Sequence, residues 1–111
     1  MLDVDNGAVL TGALEHASTS AHKARGLLGR GEYPEGNALL LEGCSSIHMF
    51  FMKFPIDVLF VDDRLQVLRI VEGLRPWRWA SCPRAHATVE LPALTVRRLG
   101  IEVGHRLEIR K

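Results

Sequence analysis

Cysteine is nearly absent from this sequence: Cys44 and Cys82 are the only two. Small secreted folds held by disulfides carry many more, so a reducing compartment is the default, with one Cys44–Cys82 bridge left open to an exported chain. Long apolar runs are missing as well. The longest (Ala38–Leu41, Met49–Met52, Val58–Val61) are four residues each, far short of the ~20 needed by a membrane helix. Neither charge sign dominates: 14 Lys and Arg against 13 Asp and Glu leave a net +1. That balance does not make nucleic acid or an anionic membrane the first choice of partner. There is no glycine-rich phosphate loop, dinucleotide fingerprint or paired-carboxylate arrangement, and no internal repeat, linker or second domain. Met1–Asp5 is acidic and lacks the basic-then-apolar layout of a leader. A cytoplasmic location is therefore expected for the sequence as written, and a periplasmic or exported one if a leader precedes it.

What is present is an ordinary globular balance. The chain has 111 residues, 47% hydrophobic and 24% charged, which excludes disorder and predicts one domain over residues 1–111 with a self-sufficient core. The neutral total hides an asymmetry. Residues 1–63 hold four basic and nine acidic side chains, net −5, and residues 64–111 hold ten and four, net +6. In one interleaved sheet such halves usually become solvated faces; a basic binding face is the alternative.

Residue patterning predicts an α+β fold, compact and mainly antiparallel, as a sheet or barrel-like domain with two short helices. Gly7–His16 reads as a first strand with Val9, Leu10 and Leu14 as its apolar positions. Ser18–Ser20 supplies cap candidates for a helix near residues 20–28, closed by Gly29. Short strands follow at Ala38–Leu41, Ile47–Lys53, Asp57–Asp62 and Gln66–Glu72, the last two joined by a tight hairpin at Asp62–Leu65 with no glycine. Arg75–Ala80 is a further strand candidate and His86–Leu91 alternates clearly. Pro92 suits the first turn of a helix over 92–99, ended by Gly100, and His105–Arg110 closes the sheet.

Over Cys44–Asp62 (CSSIHMFFMKFPIDVLFVD) the sequence resembles the bacterial and archaeal domain of unknown function 192 family, also known as an uncharacterised protein family. Lys23–Arg30, Pro76–Trp77–Arg78, Glu90–Leu91–Pro92–Ala93 and Gly104 support the resemblance, which runs from about Val9 to Ile109. It implies a compact, mainly β domain with no established biochemical activity, often preceded in the family by an export or lipoprotein leader. Four positions depart from the family pattern. Met49 stands in place of a threonine, Leu65 and Leu94 in place of turn glycines, and His105 in place of an acid. Leucines at glycine positions require different backbone dihedrals or strain at those turns.

Four groups of residues could carry chemistry. Cys44 and His48, with Asp57 orienting the base, suggest a small hydrolase-like enzyme. Along a strand, however, Cys44 and His48 would lie roughly 13 Å apart, and the simpler reading is a buried thiol and a hydrogen-bonded imidazole. Cys44-x-x-x-His48 and Cys82-x-x-x-His86 together make a zinc ligand set, but without knuckle glycines, so no metal and no cofactor are expected. Arg75–Trp79 interleaves aromatics with guanidinium groups, as stacking surfaces for bases do. The simpler alternative has the tryptophans covering the core edge while the arginines face water. Finally, a strand over Ile47–Met52 puts His48, Phe50 and Met52 on one face and Ile47, Met49 and Phe51 on the other, the pattern of a strand covered on both sides. His48 would then need a partner, with Asp57, Glu90 and Arg25 as candidates.

The function expected on these grounds is a non-catalytic accessory, in an envelope or secretion system for example. It would bind a small ligand or a protein partner in a cleft edged by His48 and Asp57, with Arg25 and Glu90 contributing. The alternatives are the hydrolase using His48 with Cys44 or Asp57, and nucleic-acid binding through the basic C-terminal half and Trp77–Arg78–Trp79.

Overall fold

A computed structural model describes residues 1–17, 31–49 and 52–110. Among them are nine strands: β1 Leu2–Asp3, β2 Glu15–Ala17, β3 Leu39–Glu42, β4 Ser46–His48, β5 Ile56–Val61, β6 Val67–Leu74, β7 Trp79–Ser81, β8 Ala87–Pro92 and β9 Leu107–Glu108. One helix, α1, spans Thr95–Leu99. No helix among the described residues is long and apolar enough to cross a membrane.

The centre is a five-stranded sheet in the order β2-β3-β8-β5-β6. β5 and β8 are buried at every position, which requires cover on both faces. Side chains alternate across the sheet. Leu40, Leu59, Val61, Val89 and Leu91 project into one core cluster with Val96 of α1 and Leu107 of β9. Leu39, Leu41, Val58 and Phe60 project into a second cluster with Ile47 of β4 and Ala80 of β7. The helix face is thus covered by α1 and the small β1–β9 pair, and the opposite face by the two-stranded β4–β7 ribbon.

The sheet is mixed, since β2 pairs parallel to β3 while the other pairings are antiparallel. It is open, with β2 and β6 as edges, and no pairing among the described residues closes it into the barrel-like form expected. The helix expected near 20–28 lies outside the described residues.

The strand expected over Gly7–His16 appears as β2, which begins only at Glu15 and is preceded by the short β1. Gly7, at φ 77°, closes a turn in which Gly7 N–H donates to the Asp3 carbonyl. The hydroxyl of Thr11 then bonds the Gly36 carbonyl, so the chain stays irregular until Glu15. The strand expected over Ile47–Lys53 stops at His48, and the Met52 N–H turns back to the Met49 carbonyl. β4 therefore does not sit in the middle of a sheet: among the described residues it pairs with β7 alone. β7 is likewise shorter than Arg75–Ala80, and the closing strand is reduced to Leu107–Glu108.

The second helix is real but starts three residues late. Pro92 is still in register with Ile56 at the end of β8, so the chain first reverses at Leu94, φ 74°. Gly100, φ 68°, ends α1 as expected, its N–H bonding the Val96 carbonyl. The hairpin leucine, Leu65, also takes a left-handed conformation, φ 63°. Leu65 and Leu94, the positions where the family pattern has glycine, thus keep a glycine-like backbone at the strain expected of leucine there.

Candidate functional site

Asp57 is fully buried and its two carboxylate oxygens serve two backbone donors. Oδ1 accepts from Gly73 N–H at 2.8 Å and Oδ2 from Val96 N–H at 2.9 Å. Both donors are orphans of the fold. The β5–β6 register shifts between Ile56 and Val58, and Gly73, at φ 61°, sits in that irregularity. Val96 N–H belongs to the first turn of α1, where Leu94 provides no side-chain cap. Asp57 therefore fastens β5 to β6 and α1 and does not stand at a cleft rim, correcting that expectation. A glycine inside the β6 pattern was the sequence signal for the bulge that Asp57 serves.

Glu90 is also buried, 7% exposed, but on the other side of the sheet. It is in register with Val58, next to the Asp57–Leu91 pair, so alternation sends the Asp57 and Glu90 side chains to opposite faces. The Glu90 carbonyl accepts the Tyr33 hydroxyl at 3.0 Å. His48 is exposed on the outward side of the β4–β7 ribbon, and both His48 and Glu90 are engaged with partners. Arg25 lies outside the described residues. Asp57 and Glu90 are thus separated by the sheet, and His48 belongs to a different layer.

The Cys44 thiol donates to the Ser46 carbonyl at 2.9 Å and packs against the ribbon-face core, while His48 points outward. Cys82 is the second half-buried free thiol. Among the described residues no group of three or more His, Cys, Asp and Glu side chains is placed to hold a metal, so Cys44, His48, Cys82 and His86 do not converge on one.

The ribbon itself holds the more unusual arrangement. Ala80 and Ile47, in register, turn into the core. Their neighbours Trp79 and His48, also in register, therefore share the outward face. Trp79 is 68% exposed and Trp77 58%, which corrects the expectation that these rings cover the core edge. Ala80 does that instead. The chain enters β7 through a turn in which Arg78 N–H bonds the Arg75 carbonyl at 3.2 Å. Pro76 is its second residue and Trp77, φ 68°, its third, the pattern of a type II turn whose third position favours glycine. Two further bonds, Trp77 N–H to the Met49 carbonyl (2.8 Å) and Met49 N–H to the Arg78 carbonyl (2.7 Å), lock the turn to β4. Met49 is 1% exposed in the core, so the side chain standing in place of a family threonine is a packing residue. Arg75 and Arg78 are exposed, and Arg69 reaches from β6 to donate to the Ser81 carbonyl at the far end of β7.

A second polar group lies away from the ribbon. His105 Nδ1 is 2.6 Å from Oδ2 of the fully buried Asp3, and Nε2 is 3.6 Å from Glu102. The hydrogen bond to Asp3 raises the His105 pKa above its ordinary value, against a smaller opposing effect of burial. The histidine that stands in place of a family acid thereby ties the turn before β9 to β1.

The chain is similar to several known proteins. A UPF0127 protein of Thermococcus sibiricus is 30% identical over 114 residues, covering 97% of this chain and 73% of the relative. The UPF0127 protein PF1050 of Pyrococcus furiosus is 38% identical over 65 residues, 58% of this chain and 55% of that one. Among solved structures, a candidate transcription regulator of Sinorhizobium meliloti superposes with a TM-score of 0.79 at 26% identity, covering 86% of this chain and 79% of that one. A protein of unknown function from Novosphingobium aromaticivorans gives 0.76 at 26% identity, covering 86% and 74%. The model of the DUF192 family, described as Uncharacterized ACR, matches residues 2–109, and the chain belongs to that family.

Proposed function

We propose that the protein works by binding, with the outward face of the β4–β7 ribbon as its recognition surface and His48, Trp77 and Trp79 as the ligand-facing residues. One observation carries this reading. Trp77 occupies a left-handed turn position suited to glycine, yet the residue is 58% exposed. A bulky side chain there strains the backbone, and most of its apolar surface gains no burial in return. Strain of this kind clusters at functional sites, and at Trp77, unlike at the similarly exposed Leu94, it falls on an aromatic residue two positions from the exposed Trp79. Trp79 and His48 extend the same surface on regular strand backbone, which holds side-chain directions well. The description of the Sinorhizobium meliloti protein as a candidate transcription regulator also supports a binding role.

Asp57 contributes as a positioning residue for the central sheet and not as a ligand contact. The hydrolase alternative finds less support: both Asp57 oxygens are taken by backbone donors, and the Cys44 thiol bonds the Ser46 carbonyl.

The chain has only two tryptophans, Trp77 in the turn that enters β7 and Trp79 on β7 itself, so its intrinsic fluorescence reports on the ribbon. A panel of oligonucleotides, neutral oligosaccharides and peptides is expected to contain one class that changes the emission saturably. His48→Ala should weaken that binding with the melting temperature held. Turnover of any substrate that disappears in His48→Ala would replace the binding reading with an enzymatic one.

A further inference from the structure

Resting on the ribbon as the recognition surface, we infer that its ligand is single-stranded nucleic acid, stacked on Trp77 and Trp79 and held at its phosphates by Arg75, Arg78 and Arg69. The order of groups along the ribbon supports this. The bond from Arg78 N–H to the Arg75 carbonyl closes the turn around Trp77, and both arginines are exposed. Arg69, bonded to Ser81, supplies a third at the opposite end. Ser81 lies two residues beyond Trp79, roughly 7 Å along the strand. Exposed arginines therefore stand at both ends of β7. From Arg69 to Arg84 the chain carries four arginines and a single acid, Glu72.

A ligand matched to this surface offers flat faces for the rings and anionic groups at short, regular intervals between them. Unpaired nucleotides offer both. In a duplex the base faces are covered by their own neighbours, so rings projecting from a ribbon find only edges and backbone. An acidic peptide or an anionic glycan satisfies the arginines but leaves the aromatic pair without a matching π face. Three residues per strand span about 10 Å, so the footprint is short, two or three nucleotides.

The test uses labelled single-stranded DNA and RNA 12-mers, followed by anisotropy and by tryptophan quenching, with duplex DNA and heparin as competitors. Single strands should bind saturably and quench the emission. Two or three phosphate contacts predict an affinity that falls with salt at a log–log slope of about −1.4 to −2.1. Trp79→Ala or Trp77→Ala should weaken binding about 5- to 150-fold. Arg78→Gln, at an exposed position, should reduce the slope by about 0.7. Urea unfolding of each variant separates lost binding from lost folding. Equal competition by duplex or heparin, or full affinity in both tryptophan variants, overturns the inference. A tryptophan response to oligosaccharide or peptide without any response to oligonucleotides also overturns it and leaves the ribbon as a binding surface. No response to any class removes both readings.

Discussion

The strain at Trp77 can be measured by comparing two truncations that lose the same ring. At an ordinary strand or helix position alanine is more stable than glycine by about 0.5–1 kcal/mol, because glycine has more conformational freedom to lose on folding. At Trp77, φ 68°, the order should reverse. A left-handed conformation costs a residue with a Cβ about 1–2 kcal/mol, while glycine adopts it without that penalty. Subtracting the entropic disadvantage leaves Trp77→Gly more stable than Trp77→Ala by about 0.5–1 kcal/mol. For a chain of this length that is a difference of about 2–4 °C in melting temperature. The measurement is urea unfolding followed by far-ultraviolet circular dichroism, with Trp79 emission as a second probe, and the midpoints compared at matched slopes. Both variants should lose ligand affinity to the same extent, since both lack the ring. If Trp77→Ala proves the more stable, the turn is unstrained and the case for a tryptophan retained for recognition fails. If both retain full affinity, the ring has no part in binding whatever its backbone conformation.

Other consequences follow from the buried polar groups and the leucine turns. Asp57→Asn turns an amide donor toward one of two buried backbone N–H groups, and should cost about 2–4 kcal/mol in urea unfolding while the folded fraction keeps its affinity. Leu94 is 69% exposed and Leu65 packs against the helix-face core, so Leu65→Gly should come out about 1 kcal/mol less stable than Leu94→Gly by thermal unfolding. His105, raised above its ordinary value of 6.5 by Asp3, binds its proton more tightly folded than unfolded. Its contribution is therefore complete below pH 6.5 and lost as the pH rises through the folded-state pKa, a slope that His105→Gln should flatten in unfolding curves taken across that range.

How far the sequence reveals this fold depends on what each segment packs against. β5 and β8 are apolar or neutral at nearly every position and buried on both faces, and their short runs and bounding turns announce them almost to the residue. The glycine at the end of α1 and the hairpin at Asp62–Leu65 are similarly local features, decided by backbone geometry. Ile47–Met52 misleads because Ile47, Met49 and Met52 all join one core cluster although the strand ends at His48. Ile47 and Met49 face the core from a two-stranded ribbon, and the chain then turns back at Met52 instead of continuing a strand. Periodicity alone cannot distinguish that from a central strand.

The site was obscured by the same ambiguity from the opposite direction. A tryptophan's ordinary place is a core edge, and what reverses that expectation for Trp79 is the small residue beside it. Ala80 takes the inward position, so alternation forces Trp79 out. For Trp77 the decisive feature is Pro76, which favours a turn whose next residue has positive φ and so draws Trp77 out of any strand. Asp57 shows the converse. A carboxylate after a proline corner looks like a rim residue until Gly73 and Leu94 are read as the sources of two unpaired backbone donors. Its charge is spent inside the fold, on the bulge and the helix start that those residues create. The histidine and carboxylate joined by residue type in the sequence are therefore divided by the sheet between two tasks. His48 stands in register with Trp79 on the ribbon, while the Asp57 carboxylate holds two backbone donors on the far side of the sheet, so the recognition surface proposed for the ribbon is built around the ring and not the acid.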